Sequence, residues 1–98
     1  MEQLKVTMRS YGNMSSDCTS KYEVKVSRPC TLEEFIHWVL TQNEWGHIEV
    51  RGWGRCEYSG SKVIHSDFGV STLEREIDIT TILASGGWSA MNYRVELK

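Results

Sequence analysis

Only one segment of this chain repeats its apolar residues at helical spacing. Leu32, Phe35, Ile36, Val39 and Leu40 fall at i, i+3, i+4, i+7 and i+8, a single stripe, with Glu33, Glu34, His37 and Thr41 away from its centre. Thr31 and Glu34 have the spacing of a capping box, Cys30 and Phe35 that of a hydrophobic staple, and Pro29 helps stop the strand before them. With Asn43 as a left-handed terminator, the helix is expected at about 32–42. One helix with one apolar stripe can cover only one face of a sheet, which limits the fold to two layers.

The remaining segments alternate with period two. Leu4, Val6 and Met8 alternate with polar residues, so residues 3–11 are expected as a first strand; Tyr22, Val24 and Val26 do the same in a second. The turn formers of residues 12–20 between them make a hairpin with a long tip. A third strand begins near Trp45, carries Ile48 and Val50, and meets a bend at Gly52 and Gly54. Residues 56–58 and 62–65 form a hairpin about Gly60. Ser71 and Glu74 repeat the capping-box spacing ahead of a short helix or 3₁₀ turn. Ile77 to Ala84 is expected as a strand, Ser85-Gly86-Gly87 as its turn, and Met91, Tyr93, Val95 and Leu97 as the inward residues of the last strand.

The expected class is therefore α+β, with a mainly antiparallel sheet of 5–6 strands and one amphipathic helix on one face, residues 1–98 forming a single domain. The order is β-β-α-β-β-(short helix)-β-β. Residues 22–40 and this order of elements are similar in pattern to ubiquitin-like β-grasp folds. That resemblance implies a topology and carries no activity with it. The residues Val95-Glu96-Leu97-Lys98 lack a Gly-Gly tail, so a conjugated modifier is not expected.

A net charge of −2 with acids and bases interspersed supplies no broad positive field, and general nucleic-acid binding is not expected. No apolar run approaches the ~20 residues of a membrane span, nor the apolar segment of a secretory signal. Cys18, Cys30 and Cys56 are odd in number and widely spaced, which suits free thiols in a reducing compartment; a cytoplasmic protein is the expectation.

A metal site could draw on these cysteines with His37, His47 and His65, but none forms the close pairs that zinc sites bring, so no metal or other cofactor is expected. Neither Gly52-Trp53-Gly54 nor Gly86-Gly87-Trp88 has the residues of a phosphate cradle. Cysteine-nucleophile chemistry has one grouping to offer, Cys56 and His65 facing each other across a hairpin with Asp67 beyond.

Four tryptophans, Trp38, Trp45, Trp53 and Trp88, lie off the clean core stripes, and tryptophan favours interfaces because its large apolar ring carries one donor. Trp53 and Trp88, each beside a glycine-rich bend, are the candidate interaction surface. The expected function is that of a small non-enzymatic binding or accessory protein acting through contacts with an unidentified protein partner. A small Cys/His enzyme and a carbohydrate-binding module built on exposed tryptophan are the alternatives.

Overall fold

The computed structural model describes residues 3–14, 19–87 and 90–98. The helical stripe produces the expected element: α1 spans Leu32–Thr41, and Thr31 and Glu34 close both arms of the capping box. Glu34 N donates to Thr31 Oγ1 at 3.2 Å, and Thr31 N donates to Glu34 Oε1 at 3.4 Å. Leu32, Phe35, Ile36 and Val39 are buried, and Leu40 packs at the rim of the same core.

The described strands are β1 (Val6–Met14), β2 (Thr19–Val26), β3 (Trp45–Val50), β4 (Gly54–Ser59), β5 (Lys62–Ser66), β6 (Leu83–Gly87) and β7 (Ala90–Val95). They form one sheet in the order β1-β2-β6-β7-β3-β4-β5. This is seven strands rather than five or six. All neighbours are antiparallel except β3 and β7, which run parallel. The parallel pair arises because the chain leaves β3 at one end of the sheet and returns beside it only after β4, β5, a second helix and β6.

Strand β1 runs on to Met14 and β2 begins at Thr19, so Gly12, Asn13, Met14, Thr19 and Ser20, expected in the hairpin tip, are paired strand residues. Two further elements differ from expectation for local reasons. The second helix, α2, is the single turn Val70–Leu73 entered from Gly69; Ser71 lies inside it and Glu74 ends it, so the Ser71–Glu74 spacing does not cap it. The strand expected from Ile77 begins only at Leu83 and runs through Ser85-Gly86-Gly87, the segment expected as its turn. The Asp78 side chain holds the intervening residues in a turn, its Oδ1 accepting from Thr80 N at 3.0 Å and Thr80 Oγ1 at 2.7 Å. Asp competes with strand pairing by this kind of local bond. Ile77 forms only an isolated bridge to Leu97.

The inner face of the sheet carries Tyr22, Ala84, Tyr93, Ile48 and Cys56 in one cross-strand row. Beneath α1 these join Val24, Val50 and Val95 in the core, with Val6 at its edge. Phe35 meets Tyr93 edge-on at 5.4 Å between centroids, and Trp38 stacks beside Phe35 at 6.0 Å. Both helices belong to this layer, Leu73 of α2 packing on the same core. Among the described residues no helix lies on the opposite face, and no helix is long and apolar enough to cross a membrane.

Candidate interaction surface

Sheet alternation separates the residues that cysteine chemistry would need together. Cys56 pairs in register with Ser66, and His65 with Glu57 on the opposite side of the pleat. The Cys56 thiol is buried in the core, and that burial, reinforced by the charges of Asp67 and Glu57, pushes its pKa up to about 11. His65 points outward and its Nε2 lies 2.9 Å from Asp67 Oδ1. Asp67 has a structural role as well, since its Oδ2 accepts from Arg55 N at 3.0 Å. That backbone bond, then the one to His65, holds its carboxyl below the ordinary carboxylate range.

The tryptophans divide. Trp38 is a core-rim residue, while Trp45 and Trp53 are about half exposed. The Arg75 guanidinium lies 5.1 Å from the centroid of the Trp53 ring, a cation–π contact. Trp88 and Cys18 lie outside the described residues. Trp45 opens β3, and Trp53 follows Val50 beyond the far end of that strand.

The helix-free face presents a different constellation. Register places Arg9, Glu23, Leu83, Arg94, Glu49 and Arg55 side by side across six strands. Leu83 is 41% exposed in the middle of this charged row. Next to it stand Tyr11 and Ile79, 54% and 40% exposed. These three line one depression with Val24, Val26 and Ile82, where β2 continues past its last pair with β6. Tyr11 belongs to the irregularity between Ser10 and Gly12, and a bulge re-aims a side chain in this way. A second, polar depression, lined by Lys21, His47, Ser85, Asn92 and Arg94, shares Tyr11 and Leu83 with the first.

The result is an apolar centre with a charged and polar rim. Side chains of Arg9, Glu23, Glu49 and Arg94 make no hydrogen bond or ion pair among the described residues. Sequence reasoning missed this surface. The available signal was the run Ile82-Leu83-Ala84, where apolar residues do not alternate and one must therefore face outward.

The other exposed apolar residues of the sheet include Val63 and Ile64 on the edge strand β5. A register shift there, together with Lys62, works against pairing with a further strand. The class defined by this architecture is a two-layer α+β domain with an open sheet face. Comparison with protein-family models, curated proteins and solved structures finds no significant match.

Proposed function

We propose that this domain is a non-enzymatic binding module acting by protein contact through the helix-free face of its sheet. The supporting observation is the clustering of Tyr11, Ile79 and Leu83, all at least 40% exposed, around one depression bordered by charged side chains. Isolated exposed apolar residues are ordinary, whereas contiguous ones with a polar border mark recognition sites. A Cys/His enzyme has less support, because Cys56 is buried and His65 is turned to the other face. For a carbohydrate module, Trp53 is the one described half of the required pair, and Arg75 already occupies one side of its ring.

Leu83→Asp tests the reading. Leu83 already meets solvent, so the substitution is expected to change stability by no more than ~1 kcal/mol in urea melts. Quantitative co-purification should recover protein partners with the wild type and lose them with the variant. Recovery of the same partners by a folded Leu83→Asp protein would move the contact surface elsewhere.

A further inference from the structure

We propose that the helix-free face takes a second copy of this chain, the two sheets packing face to face about a two-fold axis that runs along β6. This rests on the reading of that face as a contact surface and names the partner. The carrying observation is the order of charges across the sheet. From β1 to β4 the row reads Arg9, Glu23, Leu83, Arg94, Glu49, Arg55. A two-fold axis along β6 brings Leu83 against Leu83 of the second copy. It exchanges β2 with β7 and β1 with β3. Glu23 then faces Arg94 of the second copy, and Arg9 faces Glu49 of the second copy, each contact occurring twice by symmetry.

The neighbouring rows obey the same operation. Lys25 and Glu96 lie two residues further along β2 and beyond β7, displaced in the same direction from Glu23 and Arg94. The axis brings Lys25 to the Glu96 carboxylate, which Arg51 of its own chain already holds through one oxygen at 3.1 Å. On the other side Ser85 meets its own copy, and Lys21 meets neutral Asn92. No other strand in the row can hold the axis on these terms. Along β1, β2, β7, β3 or β4, the axial residue would be Arg9, Glu23, Arg94, Glu49 or Arg55, a charge set against its own copy. An isologous interface must be self-complementary, and β6 alone supplies a neutral, apolar axial residue.

Face-to-face sheets pack about 10 Å apart, close enough for long charged side chains to meet from both sides around a leucine pair. Strand twist carries more distant strands out of alignment, so the contact is confined to β6 and about two strands on either side. Those are the strands whose charges match. Arg55, one strand further out, has no counterpart to meet.

Sedimentation equilibrium of the purified protein from micromolar to about 1 mM, at about 0.05 M and about 0.5 M salt, tests the arrangement. A concentration-dependent dimer that weakens at high salt is expected. E23R and R94E should each weaken it by at least about tenfold, because each places two like-charge contacts in the interface. The E23R/R94E double variant restores both contacts in reversed sense and should recover most of the association. Leu83→Asp should sediment as a monomer, with circular-dichroism melts confirming that every variant is folded.

A protein that remains monomeric throughout overturns the inference. So does a dimer indifferent to R94E, or a double variant no better than the singles, either of which would locate self-association on another surface. A monomeric wild type that nevertheless loses a different protein on Leu83→Asp substitution would overturn the second copy as occupant and leave the contact-surface reading standing. A dimer with the expected variant pattern and no other protein recovered supports this inference by itself.

Discussion

At Gly46 a β-carbon would stand 1.9 Å from the Met91 carbonyl oxygen on the neighbouring strand. Tyr58, in register with Gly46 on the other side, crosses the bare backbone and donates its hydroxyl hydrogen bond to that same carbonyl. Aromatic cover over a strand glycine makes up for the missing side chain. Gly46→Ala should therefore cost about 3 kcal/mol or more by urea denaturation, since the obstruction is backbone and cannot swing aside. Tyr58→Phe keeps the cover but strands a buried acceptor, for an expected loss of about 1–3 kcal/mol. Buried thiols and phenols also set the alkaline limit. Burial raises Cys30 and Cys56 to about 11 and moves Tyr58 and Tyr93 upward too. Groups raised in the folded state contribute stability that is complete below their unfolded pKa, near 9 for the thiols, and lost as pH climbs through about 11. Denaturation midpoints should fall steadily across that window, and native-state alkylation of both cysteines should stay slow at neutral pH.

The helix α1 was legible in full because cap, staple and stripe are all local sequence relations. Replacing Thr31 by Ala removes the Oγ1 acceptor of the Glu34 amide and should cost about 1 kcal/mol, with faster amide exchange in the first turn. Phe35→Ala should cost about 3–5 kcal/mol, because the fully buried ring leaves a cavity against Trp38 and Tyr93. A circular-dichroism melt with no change in midpoint would contradict that docking. The hairpin of β4–β5 was legible for the same reason, a strand pattern with turn formers between its arms, and so was the pairing of β1 with β2. Gly12, Asn13, Met14, Thr19 and Ser20, however, expected in the tip between β1 and β2, are paired strand residues. Strand β6 was not legible. Ile77 to Ala84 has strand composition throughout, but the Asp78 side chain bonds its own local backbone, and pairing starts only where β2 and β7 offer partners to Leu83.

Across the whole molecule, stability should follow distance from the sheet's edges. Strands β6, β7 and β3 are flanked on both sides, whereas β5 pairs only with β4 among the described residues and is exposed at every position. Native-state hydrogen exchange should find the slowest amides in β7 and β3 and the fastest strand amides in β5. Protection as high in β5 as in β7 would mean that β5 is covered in solution.

By itself the sequence determined the class of fold, the extent of α1, the face that α1 buries and most strand segments. Each follows from relations between residues a few positions apart. It did not determine that β7 lies parallel to β3, that β2 reaches across to β6, or that Cys56 and His65 fall on opposite faces. Strand neighbours and register are chosen by how the entire inner face packs beneath one helix. The charged row through Leu83 belongs to the same category. Its members come from six strands between residues 9 and 94, and only tertiary pairing sets their charges in alternating order around an exposed leucine.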